Sequence, residues 1–214
     1  GQQASRADAA VSASETLLAL LDDVLEYSRL ESRSVTLAPQ PTAIGPWAEQ
    51  TLDMVRWRSD EKKLALSLDL ACAPDFSVEI DAMRVRQIVL NLLVNAIKFT
   101  TVGKVVLRVD YLPGKRRGSG TLVLEVRDTG MGIPPERQRN IFEPYARVES
   151  PGNRGASGTG LGLSICHELV ELIGGVITVS SSPEVGTVFT VMLPAREARA
   201  EMALPKAAEA AGAS

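Results

Sequence analysis

The stretch RVRQIVLNLLVNAIKFT at residues 84–100 constrains this chain most. Helical residues turn by about 100° each, so Gln87, Asn91, Asn95 and Lys98, spaced four, four and three apart, share one face. Every other residue between Ile88 and Phe99 is apolar. A helix this apolar belongs in a core. A buried stripe of amides and one ammonium is costly unless polar groups meet it. Either the stripe closes on itself as a polar network, or it meets a ligand rich in negative oxygens together with a metal ion. The stretch alone leaves both readings open.

Composition narrows the class. The 214 residues allow one ordinary domain plus extra, or two small ones. A net charge of −3 gives no basic surplus for binding nucleic acid. Cys72 and Cys166 lie far apart without metal-ligand spacing, which predicts two ordinary thiols in a reduced, cytoplasmic setting. No apolar run approaches the roughly 18 residues that span a bilayer, so no direct membrane contact is expected from this chain. It starts at Gly1 rather than Met and reads as a piece of a longer parent, for which a membrane anchor stays open.

Around the central helix the periodicity alternates. Val11, Leu17, Leu18, Leu21, Val24, Leu25 and Leu30 recur at helical steps and predict a long N-terminal amphipathic helix. Its apolar stripe packs either on the body of the protein or on a second copy in a helical bundle. Strands are expected at 34–37, 64–70, 76–80, 104–111, 121–127, 176–180 and 187–192, with helices at 47–60 and 161–173 and a short helical piece at 136–142. Residues 113–120, PGKRRGSG, read as a solvated hairpin tip. The order predicts an α/β (α+β) fold: a two-layer sandwich of a mixed sheet with helices on one face.

Two glycine-rich segments flank a long polar loop. The second, GASGTGLGLSI, runs straight into a helix, whose free N–H groups make an anion site. It is neither a Walker loop nor G-x-G-x-x-G, because Gly158, Gly160 and Gly162 alternate. In the first, DTGMG, Asp128 ends a strand and can accept a hydrogen bond from an exocyclic amine. Adenine offers that amine and guanine a carbonyl, so a buried carboxylate would discriminate between them. Taken alone, an Asp at a strand end before Gly is more often just a turn residue.

Taken together, NLLVNAIKFT, DTGMGI, IFEPYAR and GTGLGLSI resemble the ATP-binding catalytic domain of sensor histidine kinases, a fold shared with the gyrase, Hsp90 and MutL ATPases. The resemblance covers residues 35–195. Residues 1–34 resemble the second helix of the dimerisation and phosphotransfer domain with its linker, and 196–214 a tail or linker. It implies ATP and Mg2+ as cofactors, Asn95 as magnesium ligand, and Asn91 and Lys98 as the catalytic pair. It implies further ATP contacts from Asp128, Gly130, Gly132, Phe142, Arg147, Arg154, Gly158, Thr159, Gly160, Leu161, Gly162 and Thr187. The hydrolysing members carry a carboxylate base where this chain has Asn91. An amide cannot take a proton from water, which favours phosphoryl transfer over hydrolysis.

The implied partners are a second copy, through the N-terminal helix, and a response-regulator receiver domain. The lone histidine, His167, lies outside the acceptor motif and is expected to be structural; the acceptor helix falls outside this chain. The competing expectation is a non-catalytic ATP-binding and dimerisation module with a nucleotide-ordered lid.

Overall fold

A computed structural model describes residues 2–32, 34–146 and 160–198 of the chain. Helix α1 (Gln2–Glu31) leads into β1 (Gln40–Ala43), α2 (Ile44–Glu61), β2 (Ala65–Leu70), β3 (Ser77–Ile80) and α3 (Ala82–Phe99). The hairpin β4 (Lys104–Pro113) and β5 (Ser119–Asp128) follows, then the short α4 (Pro135–Gln138). Helix α5 (Gly162–Ile173), β6 (Val176–Ser182) and β7 (Gly186–Glu197) complete the fold.

The strands form one mixed sheet in the order β1-β3-β7-β5-β4-β2, with β6 paired to β7. Only β2 and β4 run parallel; the other pairs are antiparallel. Strict alternation builds the two layers. Val105, Leu107, Val109, Leu122, Leu124, Val126, Val191 and Leu193 are buried in one core with residues of α2, α3 and α5. The intervening residues face outward. There, Arg108 pairs with Asp69 at 2.7 Å and lies 3.9 Å from Glu125, its partners in register on β2 and β5.

Helix α3 matches the expectation from its pattern. Asp81 caps its start by accepting the Arg84 N–H at 3.1 Å. The Lys62 ammonium closes its end, donating to the carbonyls of Ile97 and Lys98, both at 2.8 Å. In α2, Pro46 sits in the first turn, where a missing N–H breaks no helical bond. Trp47 is buried and donates from its indole nitrogen to the Ala82 carbonyl at 3.1 Å.

Several element boundaries differ from the sequence reading: α2 starts at Ile44 rather than 47 and α4 ends at Gln138 rather than 142, and two further differences change the sheet. Residues 34–37 form no strand. The Ser34 N–H bonds back to the Arg29 carbonyl at 3.1 Å, and the strand starts at Gln40 instead. Strand β1 carries Pro41 because it lies at the sheet edge, where a lost donor is tolerated. Strand β7 runs on to Glu197, since β3 pairs with it at Arg196 and Glu197.

The last turns of α1 lie on the domain. Leu30 is buried, and Glu26 pairs with Arg84 at 2.6 Å. Leu17, Leu18, Leu21, Val24 and Leu25 stay exposed. Among the described residues no helix is long and apolar enough to cross a membrane.

Candidate nucleotide site

Three chain segments come together along α3: the turn after β5 reaches its end, the β6–β7 turn bonds to that turn, and the start of α5 faces Asn91. The first two form a wall around Asp128. Its carboxylate accepts the Gly130 N–H at 2.8 Å and the backbone N–H of Thr187, the residue opposite it in register. Burial raises its pKa above the ordinary carboxylate range, and these two hydrogen bonds pull it part of the way back. A carboxylate has about four lone-pair sites, so Asp128 keeps acceptor capacity for an incoming amine.

Two glycines allow the close approach. Gly132 has φ +71°, and a Cβ there would lie 2.1 Å from the Ser182 carbonyl oxygen. Gly186 has φ +122°, and its Cβ would lie 2.0 Å from the Asp128 carbonyl oxygen. The Met131 N–H reaches the Phe99 carbonyl at 3.4 Å, tying the turn to the end of α3.

Behind Asp128, one serine fixes the donor direction of Thr187. Ser181 donates its hydroxyl proton to the Gly186 carbonyl at 2.9 Å and accepts the Ile133 N–H at 2.8 Å. Its hydroxyl lies 3.0 Å from that of Thr187. With the Ser181 proton committed, the Thr187 hydroxyl is the donor of that pair and keeps acceptor lone pairs of its own.

On α3, Asn91 donates from Nδ2 to the Gly162 carbonyl at 3.3 Å, joining the stripe to the first residue of α5. Asn95, one turn further on, is half-buried and makes no side-chain hydrogen bond among the described residues. Lys98 is half-buried with its ammonium 5.0 Å from the centre of the Phe99 ring. Helix α5 starts at Gly162, and its N-cap residue Leu161 has a side chain that can make no cap hydrogen bond to the first N–H groups. The backbone places Gly160 (φ +74°) against Tyr145, whose N–H donates to the Gly160 carbonyl at 3.0 Å. Phe142 packs near Phe189 and His167, with ring centres 6.3 and 5.7 Å away. His167 itself lies 4.0 Å from Glu171 on the next turn.

Asn91, Asn95, Lys98, Asp128, Gly130, Gly132, Phe142, Gly160, Leu161, Gly162 and Thr187 are therefore carried by segments linked through these contacts. Arg147, Arg154, Gly158 and Thr159 lie outside the described residues. Sequence reasoning missed Ser181 and Gly186. Gly186 adjoins Thr187 and was within reach, whereas Ser181 sits in a serine run that signals nothing about its hydrogen bonds.

The residues suit a nucleotide with magnesium. Asn95 offers an amide oxygen with no competing partner among the described residues, and hard oxygen donors are what Mg2+ takes.

A family model described as histidine kinase-, DNA gyrase B-, and HSP90-like ATPase matches residues 80–197. The chain belongs to this family, and it is an ATP-binding catalytic domain of the sensor histidine kinase type. It is 36% identical over 188 residues to the sensor protein TorS of Escherichia coli (strain K12), covering 87% of this chain and 20% of TorS. It is 38% identical to the virulence sensor protein BvgS of Bordetella bronchiseptica, covering 86% of this chain and 15% of BvgS. A solved structure of full-length ShkA in complex with AMPPNP superposes with a TM-score of 0.79 at 29% identity, covering 92% of this chain and 40% of ShkA. The chain thus spans a fifth or less of the length of these two curated relatives.

Proposed function

We propose that this domain binds Mg-ATP and transfers its γ-phosphoryl group to a histidine on a helix outside this chain. The observation that carries the reading is the half-buried Asp128 carboxylate with spare acceptor capacity. Asp128 accepts from the adenine amine, and Gly130, Gly132 and Thr187 shape the wall around the base. The phosphates lie toward Gly160, Leu161 and Gly162, with Lys98 neutralising their charge. Asn95 holds Mg2+, which when bound neutralises phosphate oxygens.

Asn91 is an amide and takes no proton from water, so the site positions and stabilises the transferring group without activating a hydrolytic water. Phe142 braces the segment that follows it. Arg147, Arg154, Gly158 and Thr159 complete the phosphate contacts in this reading. The exposed stripe of α1 pairs with a second copy, and a response-regulator receiver takes the phosphoryl group onward from the acceptor histidine. The domain works on the cytoplasmic side of its parent.

The test mixes this chain with a separate protein carrying the acceptor helix and γ-labelled ATP. Label on the histidine of that helix is expected. Release of inorganic phosphate at the same rate with no labelled protein would overturn the reading.

A further inference from the structure

A helix ends on four backbone carbonyls that need partners from outside its own turns. In α3 they belong to Ala96, Ile97, Lys98 and Phe99. The Ala96 carbonyl accepts the N–H and the hydroxyl of Thr100, at 3.1 and 2.7 Å. The Ile97 and Lys98 carbonyls both accept from the Lys62 ammonium at 2.8 Å, and the same ammonium lies 3.4 Å from the Thr100 carbonyl. A cation is favoured there, at the negative end of the helix dipole. The Phe99 carbonyl accepts the Met131 N–H at 3.4 Å. With its neighbours held by Lys62, this last carbonyl is presented to the turn that follows Asp128.

That turn sits tightly against it. A Cβ at Gly130 would lie 2.5 Å from the Phe99 carbonyl oxygen and 2.9 Å from Asp128 Oδ1. Gly130 is thus wedged between the end of α3 and the carboxylate to which its own N–H donates at 2.8 Å. A shift of the Phe99 carbonyl would displace Gly130, and with it a donor to Asp128. Lys62 is itself anchored. It is the C-cap of α2 and opens a reversal in which Lys63 takes φ +57° and the Leu64 N–H returns to the Ser59 carbonyl at 2.9 Å.

We propose that Lys62 is a positioning residue for the nucleotide site, fixing the end of α3 so that the Phe99 carbonyl seats the Gly130–Met131 turn beside Asp128. It acts through α3 and not by contact with the base. Its effect on nucleotide affinity rests on the function proposed above. Its hold on the turn does not.

The test compares Lys62→Met, which keeps the stem but removes the charge and its donors, with Lys62→Arg, which keeps both. The backbone amide signals of Gly130 and Met131 are followed in the 15N-labelled chain, and Mg-ATP is titrated at a temperature where each variant is folded. Lys62→Met should shift both signals and weaken binding by about tenfold, while Lys62→Arg stays within about threefold of the unmutated chain. A cap that served stability alone would lower the melting temperature and leave signals and affinity of the folded chain where they were. Unmoved signals or unchanged affinity in folded Lys62→Met therefore overturn the proposal, and so do equal losses in both variants. Should Lys62→Met not fold, Lys62→Gln carries the same comparison. If the unmutated chain binds no nucleotide, the function proposed above fails, and the two amide signals of the unliganded chain still decide the role of Lys62.

Discussion

The Asp128 carboxylate accepts the Gly130 N–H at 2.8 Å while its burial works against its charge, so the same residue weakens the fold and equips the site. Asp128→Asn separates the two effects. The amide oxygen can keep the Gly130 bond, while the desolvated charge is gone. ATP affinity should fall by about ten- to a hundredfold, the worth of a hydrogen bond to a charged acceptor, while the melting temperature of the unliganded chain holds or rises. Calorimetry and thermal unfolding check both.

The pH dependence of stability follows from the same residue. Its folded pKa lies above the unfolded value, so between the two the folded state binds more protons. The stability it contributes is full below the unfolded pKa and is lost as pH rises through the folded one. Urea midpoints measured across the acid range should show this fall, and the fall should shrink in Asp128→Asn.

Gly132→Ala tests the close approach behind the wall. A Cβ 2.1 Å from the Ser182 carbonyl oxygen, on a backbone at φ +71°, has no room without moving the β6–β7 turn. The expected loss is about 2–4 kcal/mol by urea unfolding. A loss near zero would mean that the turn relaxes freely.

Glu26 and Arg84 join α1 to the head of α3 at 2.6 Å, with both side chains about four-fifths buried. Arg84 also donates to the Gln87 side-chain oxygen at 3.0 Å, so the pair touches the polar stripe of α3. A double-mutant cycle with Glu26→Gln and Arg84→Met should give a coupling of about 1 kcal/mol that declines with salt. A coupling of zero at low salt would show that α1 docks through Leu30 and its apolar neighbours alone.

Burial pushes the Cys166 thiol up to about 12, whereas Cys72 is only partly buried. A disulfide reagent at pH 8 should therefore label Cys72 first and reach Cys166 only as the chain unfolds. Two equally fast thiols in the native chain would contradict the described packing of α5 on α3.

Much of this architecture was legible in the residues because its signals are local. The unbroken apolar run with four polar insertions could only be the central helix, and strict alternation in β4, β5 and β7 could only be a sheet buried on one face. The strand misplaced at 34–37 failed for a tertiary reason: alternation there has no neighbouring strand to pair with, whereas Gln40–Ala43 finds β3 despite its proline. Site residues with distinctive chemistry, such as Asn95 and Asp128, stood out. Those that act through geometry did not. Ser181 matters because one proton is committed to Gly186, and Lys62 because its ammonium reaches the end of α3. Neither of these contacts has a sequence period.

The most direct measurement is titration calorimetry of ATP with and without magnesium, on this chain and on Asn95→Ala. Binding that magnesium strengthens in the unmutated chain, with that gain lost in Asn95→Ala, is the predicted result. Equal magnesium enhancement in both chains would contradict the assignment of Asn95 as the metal ligand, and no binding by the unmutated chain would contradict the proposed function itself.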